Sequence, residues 1–275
     1  MIVSNKNRPF LKYAGGKYKL IDTIKLQLTP SNRLIEPFVG GGSVFLNTEY
    51  KNYVCNDSNA DLIELYNIIK LDGVNFIDYA HNLFTPVNNT EQRYYELRND
   101  YNITTDVIYK SALFVYLNKH GFSGLYRTNR SGGFNVPYGR YKSVTFPEKE
   151  LFNFYGNCGN VEFNCSDFLD TMDIAVTGDC VYCDPPYSPL DQISNFTSYI
   201  KDSFGVNEHI KLRDKSIEIS NKGITVVISN HSTDYTTELY STADNIVEFP
   251  VKRNNAAKAE HRKVINELLV TYKSK

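Results

Sequence analysis

Hydrophobic positions along this chain fall into short apolar runs separated by stretches of helical spacing. Arg33-Leu-Ile-Glu-Pro-Phe-Val39 reads as a short buried strand running into Gly40-Gly41-Gly42, after which Ser43-Val-Phe-Leu46 begins a helix. Asn52-Tyr-Val-Cys-Asn56 is a second strand ending at Asp57, and Asp61 to Ile69 spaces its apolar residues for one helix face. Strand, glycine turn, helix, strand, helix is the opening of a doubly wound α/β sheet. Segments 90–101 and 106–119 read as further helices, the second with Leu113, Phe114, Tyr116 and Leu117 on its apolar side. Gly124-Leu-Tyr-Arg-Thr128 and Gly133-Phe-Asn-Val-Pro-Tyr138 are extended runs separated by Asn129-Arg-Ser-Gly132, the pattern of a β-hairpin. Strands are then expected at 160–165, 180–183, 224–229 and 267–272, with a helix near 207–222. The expected organisation is a discontinuous α/β domain, 1–59 and 148–275, interrupted over 60–147 by a helical insert that carries the hairpin.

Composition narrows the class without changing that picture. Of the 275 residues, 41% are hydrophobic and 22% charged, which excludes a disordered, fibrous or coiled-coil chain. The first residues, Met1-Ile-Val-Ser-Asn-Lys6, contain no signal-like apolar region, and no apolar run approaches the roughly 18 residues of a membrane span. A soluble, intracellular protein with no membrane association is expected. Five cysteines are scattered and odd in number, so reduced thiols are expected. Cys180-Val-Tyr-Cys183 has the spacing of a metal knuckle, but no second pair follows and it reads as a buried strand, so no metal is expected.

Charge matters through its distribution, because the net value is only -1. Between Lys110 and Pro147 stand Lys110, Lys119, Arg127, Arg130, Arg140 and Lys142, without one Asp or Glu. A second basic cluster, Lys252, Arg253, Lys258, Arg262 and Lys263, is opposed only by Glu260. Such exclusion of acids suits a polyanionic partner, although two solvated basic faces would look the same.

The candidate chemistry sits at strand ends. Asp184-Pro185-Pro186-Tyr187 follows the strand at 180–183 directly, where an open α/β sheet presents ligands. An aromatic amine is a poor nucleophile because its lone pair is delocalised into the ring. Two acceptors holding its N–H groups would localise that pair: Asp184 supplies one, and the carbonyl of Pro185, whose φ is fixed, supplies the other. Tyr187 offers a flat face for a base. Gly40 and Gly42 stand where backbone passes close to a ligand. Asp57, about 20 residues beyond Glu36, is placed for ribose hydroxyls. Phe45 occupies the position of the third glycine of a dinucleotide fingerprint, which disfavours NAD. Lys17 would suit a ligand carboxylate. Taken singly, the tetrapeptide also reads as a turn, the glycines as packing and Lys17 as a surface residue.

Five segments in order, Phe10-Leu-Lys-Tyr-Ala-Gly-Gly-Lys17, Glu36-Pro-Phe-Val-Gly-Gly-Gly-Ser43, Gly124-Leu-Tyr-Arg127, Phe134-Asn-Val-Pro-Tyr-Gly-Arg-Tyr141 and Asp184-Pro-Pro-Tyr187, make the chain resemble the Dam-type DNA adenine-N6 methyltransferases. These are D12-class, alpha-group enzymes that modify GATC. The resemblance runs from about residue 8 to 273. It implies a Rossmann-like methyltransferase sheet with an inserted target-recognition domain, S-adenosylmethionine as methyl donor and S-adenosylhomocysteine as product. It implies that Tyr13, Lys17, Phe38 and Asp57 bind the cofactor, with Asp167 and Phe168 around its adenine and Asp184 near its methionyl end. It further implies that Lys12 and Tyr141 meet the first base pair of GATC, Leu125 and Pro137 the third, and Arg127 the last G. A guanidinium fork suits guanine O6 and N7. Arg98, Lys119, Asn129, Asn135, Arg140 and Lys142 are then phosphate contacts, and Phe122 and Ser123 stand at the gap left by a flipped base. Two departures are local: the family commonly has Trp at Tyr13 and Asn at Ser123.

The implied partner is double-stranded DNA, with no obligate protein partner, in the cytoplasm of a cell or of a virus's host. Cytosine-N4 methyltransferases use the same amine logic but usually carry Ser at the Asp184 position. An inactive DNA-binding relative would be expected to lose Lys17, Asp57 or Asp184, and all three are present. RNA methylation fits less well with a hairpin suited to a major groove.

Overall fold

The structure, a computed structural model, describes residues 6–188, 204–252 and 264–275. Among these, strands β1 (Arg33–Glu36), β2 (Asn52–Asn56), β3 (Val161–Asn164), β4 (Cys180–Cys183), β5 (Thr225–His231), β6 (Asn245–Lys252) and β7 (Val264–Tyr272) form one mixed sheet in the order β3-β2-β1-β4-β5-β7-β6. The α-helices are α1 (Ile21–Lys25), α2 (Ala60–His81), α3 (Glu91–Ile103), α4 (Val107–His120), α5 (Glu148–Asn157), α6 (Phe168–Asp173), α7 (Val206–Ser220) and α8 (Asp234–Leu239). This is an α/β fold built on a mixed, mainly helix-flanked sheet. The chain divides into two compact units, Met1–Ile21, Val39–Glu49 and Cys55–Cys165 forming the first, and Asp22–Phe38, Tyr50–Val54 and Ser166–Lys275 the second. Residues 60–147 all belong to the first.

In the second unit β1, β4 and β5 run parallel, with Leu34 beside Cys180 and Cys183 beside Ile228. Every residue of β4 and β5 is buried, as strands covered on both faces require, and their continuous apolar runs made them legible. Cys180 and Cys183 are therefore core residues of β4. β1 stops at Glu36, short of the expected Val39, because Pro37 has no N–H to continue the ladder. β7 reverses direction and lies between β5 and β6. β6 escapes the sequence pattern because it carries Pro250, which is tolerated only where a ladder N–H is dispensable, as on this edge strand. Ile35, Val181, Ile228 and Val270 pack with Met172 of α6 and Leu212 and Ile219 of α7. Each such side chain gains about 1.5–3 kcal/mol on leaving water.

In the first unit α2, α3 and α4 start at side-chain caps: Asn59 accepts from Leu62 N, Thr90 from Arg93 N, and Asp106 from Ile108 N and Tyr109 N. Every residue of α4 from Ser111 to Asn118 is buried, so this is a central helix with no solvent stripe. An aromatic cluster of Phe10, Phe45, Tyr66, Phe154 and Phe163 packs edge-to-face and tilted, with Phe154 stacked on Phe163, and centroids between 4.7 and 6.0 Å.

Two local expectations change. The glycine turn leads into a single 3-10 turn, Phe45–Asn47, in place of a helix. The Asn47 amide donates to Ser43 O at 2.8 Å and Thr48 Oγ1 to Val44 O at 3.0 Å, so side chains occupy carbonyls that further helix would use. The hairpin closes through isolated bridges, Thr128 with Phe134 and Gly121 with Tyr138, without a continuous ladder. Of the second basic cluster, Arg253, Lys258, Arg262 and Lys263 lie outside the described residues.

Candidate functional site

The first unit builds a glycine cradle. Val39 N donates to Asn56 O at 2.7 Å, tying the turn to the end of β2. The Asp57 carboxylate then accepts from Gly40 N and from Asn59 N, each at 3.0 Å, and buried Tyr66 donates its hydroxyl to Gly40 O at 2.6 Å. Burial raises the Asp57 carboxyl above its ordinary range, while the two amides pull it back. Gly42, at φ +76°, is obligatory: a Cβ there would lie 2.5 Å from the Phe45 ring. The Tyr13 ring lies against Gly40 and Gly41, so that side chains at either would crowd it. Lys17 is buried, and its ammonium donates to Gly15 O at 2.6 Å.

The insert, also in the first unit, displays its basic residues differently. Arg127 is exposed, and Asn135 anchors it, Oδ1 accepting from Nε at 2.7 Å and the carbonyl from Nη2 at 3.1 Å. Arg98 donates to Val136 O at 3.1 Å and lies over the Tyr95 ring. Asn129 closes the hairpin turn by accepting from Ser131 N and Gly133 N, each at 3.0 Å. Phe122, Ser123, Pro137, Arg140 and Lys142 are exposed, and Leu125 and Tyr141 are half-buried. Ser123 and Arg140 hold positive φ angles of 57° and 54°, and Arg140 pairs with Glu91 at 3.6 Å. Lys119 is half-buried, and burial, together with the charge of Lys12, pushes its pKa down to about 8.

The second unit carries the Asp-Pro-Pro-Tyr segment at the end of β4. Pro185 is buried, whereas Asp184 and Tyr187 are half-buried. Because β4 and β5 are parallel and Cys183 pairs with Ile228, Ser229-Asn230-His231 emerge at the same end as Asp184. They scaffold the segment: Asn230 Oδ1 accepts from Ser188 N at 3.3 Å, and His231 Nδ1 meets Ser188 O at 2.8 Å. Below them the Tyr182 hydroxyl meets Ser229 Oγ at 2.6 Å. The Tyr187 ring stands edge-on to His231, 4.6 Å between centroids, and its hydroxyl donates to Glu267 Oε2 at 3.1 Å. Glu267 is buried and arrives from antiparallel β7, opposite His231. Burial, then the charges of Asp184 and Glu267, drive the Tyr187 hydroxyl well above its usual pKa. Burial holds His209 at about 4, so it is neutral beside Pro186.

Also in the second unit, Phe38 stacks on Phe168 at 5.4 Å and 29°, with Phe204 edge-on to Phe38. Asp167 caps α6 through Leu169 N at 2.8 Å. The structure thus groups Tyr13, Gly40 and Asp57, and separately Phe38 with Phe168. It turns Asn129 and Asn135 toward the hairpin's own atoms. Asn230, His231 and Glu267 were not singled out by sequence; the one available signal was their position just past, or opposite, the end of an apolar strand. Among the described residues, no group of three or more His, Cys, Asp or Glu side chains could hold a metal ion, and no helix is long and apolar enough to cross a membrane.

Comparison with known proteins gives concordant results. The family model for D12 class N6 adenine-specific DNA methyltransferases matches residues 13–255. The chain is 44% identical over 268 residues to a DNA adenine methylase of Salmonella typhi, covering 97% of this chain and 96% of that protein. It is 44% identical over 269 residues to the DNA adenine methylase of Escherichia coli (strain K12), covering 98% and 96%. A third such relative, from Vibrio cholerae, is 41% identical over 271 residues, covering 97% and 96%.

Proposed function

This chain belongs to the D12 class of N6 adenine-specific DNA methyltransferases and is an adenine-specific DNA methylase, and we propose that it uses S-adenosylmethionine to methylate adenine in 5'-GATC-3' duplexes after flipping the base. The observation that carries the reading is the Asp-Pro-Pro-Tyr segment at the carboxyl end of β4, held by Asn230, His231 and Glu267. Asp184 and the Pro185 carbonyl accept from the two N6 hydrogens and localise the nitrogen lone pair. Tyr187, its hydroxyl tethered to Glu267, presents its ring to the base. Rate comes mainly from this positioning, with no metal and no covalent intermediate.

The residues present suit the donor. Cβ-less Gly40 and Gly41 let the Tyr13 ring lie against the turn, Asp57 offers a carboxylate for ribose hydroxyls, and buried Lys17 offers an ammonium for a carboxylate. Phe38 and Phe168 offer aromatic faces, and Asp167 a carboxylate, for an adenine. When bound, the donor supplies an electrophilic methyl on a sulfonium.

Residues 60–147 form the target-recognition part and 1–59 with 148–275 the catalytic part. Lys12 and Tyr141 read the first base pair, Leu125 and Pro137 the third, and Arg127 the last G. Arg98, Lys119, Arg140 and Lys142 contact phosphates, as do Asn129 and Asn135 through their amide nitrogens, their oxygens being engaged within the hairpin, with Phe122 and Ser123 at the vacated stack. The enzyme works in the cytoplasm on double-stranded DNA without an obligate protein partner.

The deciding experiment is transfer of labelled methyl from S-adenosylmethionine to duplexes with and without GATC, followed by nucleoside analysis. N6-methyladenine restricted to GATC duplexes is expected, and N4-methylcytosine as main product would overturn the reading. Lys119 adds a pH signature. Its depressed pKa leaves it charged at pH 7 and increasingly neutral above pH 8, so duplex affinity should fall by up to about tenfold per pH unit there. Lys119→Arg, which stays charged, should flatten the profile in a binding titration from pH 7 to 9.5. An unchanged profile in that variant would remove Lys119 from the phosphate contacts.

A further inference from the structure

We propose that Asn118 is a positioning residue for reading the first base pair, acting through Lys12; this rests on the assignment of Lys12 and Tyr141 to that base pair. Asn118 lies in the last turn of α4 and is 5% exposed. Its Oδ1 accepts from Lys12 N at 2.9 Å, and its Nδ2 donates to Lys12 O at 2.7 Å and to Gly124 O at 3.2 Å. Both amide donors and the acceptor are therefore committed, two of the three bonds to the backbone of a single residue. Asn118 serves Lys12 as a neighbouring strand would, although Lys12 belongs to no strand.

Among the described residues, the Lys12 side chain meets Gly124, Lys119 and Tyr141 of the insert. Gly124 sits on its side chain at φ +63°, where a Cβ would lie 2.3 Å from Lys12 Cβ. The Lys12 ammonium donates to Lys119 O at 3.1 Å and stands 4.4 Å from the centre of the Tyr141 ring. The Tyr141 hydroxyl accepts from Ser123 N at 3.1 Å. Lys12, Tyr141, Ser123 and Gly124 thus form a ring of contacts closed at its buried side by Asn118. Arg127 is held separately, by its two bonds to Asn135. Loosening Asn118 therefore frees the reader of one end of the site and leaves the reader of the other end in place.

Asn118→Asp is nearly isosteric, retains the acceptor for Lys12 N and removes both donors. The quantity to measure is the ratio of kcat/KM on GATC to that on a duplex altered at one base pair. In Asn118→Asp the ratio for the first base pair should fall about tenfold, while the ratio for the last stays at the parental value. In the Lys12→Ala background the same substitution should produce no further change at the first base pair. Asn118→Ser, tested alongside, guards against a folding defect in the Asp variant; thermal melting and cofactor titration establish that each variant is folded. Equal loss at both base pairs, or a parental first-pair ratio in both Asn118 variants while Lys12→Ala lowers it, would overturn the positioning role alone. A parental ratio in Lys12→Ala would instead overturn base reading by Lys12, and the proposal with it.

Discussion

Asp184→Ala should lower turnover on a GATC duplex by roughly a hundredfold or more, with cofactor and duplex binding changed far less. The carboxylate is needed most when the N6 lone pair localises, so its removal raises the barrier more than it weakens the ground state. Folding should survive, because Asp184 is half-buried at a strand end and its neighbours Tyr182 and Tyr187 keep their hydroxyl partners Ser229 and Glu267. Single-turnover kinetics at saturating donor and DNA would test this directly. A variant that kept parental single-turnover rates would show that Asp184 is not the amine acceptor. Asp184→Asn should recover only part of the loss, since an amide oxygen accepts but carries no charge.

Arg127→Ala should relax specificity at the last base pair by about 1–3 kcal/mol, with the penalty falling on cognate DNA. Asn135 anchors the Nε side of the guanidinium, which pre-orients the fork before DNA arrives. Lys142, exposed beyond the hairpin, is the contrast. Lys142→Ala should weaken cognate and altered duplexes alike and reduce the salt dependence of binding by about one counterion. Both variants should be titrated against GATC and against a duplex changed only at its last base pair, across a salt series. Equal losses on the two duplexes for Arg127→Ala would rule out base reading by that side chain.

Much of the framework was written locally. β2 and β4 coincide with the runs Asn52–Asn56 and Cys180–Cys183, each followed directly by an aspartate, a residue disfavoured in strands. α3 and α4 begin directly after Thr90 and Asp106, whose side chains cap them, so the apolar spacing and the caps point to the same starts. The candidate catalytic segment was equally legible: Asp184-Pro-Pro-Tyr187 is contiguous, and a strand before it says where it sits.

What only the tertiary structure decided is long-range pairing. Glu267 reads in sequence as one acid in a strand; the register that sets it opposite His231, and so under the Tyr187 hydroxyl, exists only once β7 turns antiparallel to β5. β6 was hidden because Pro250 is acceptable solely by virtue of its edge position, which no local pattern states. Asn118 looks like one more polar residue near a helix end, yet it bonds a backbone 106 residues away. Periodicity, caps and turn chemistry act over a few residues and can be read from order alone. Which buried polar group satisfies which is fixed by burial itself, once the folded chain has excluded water from both.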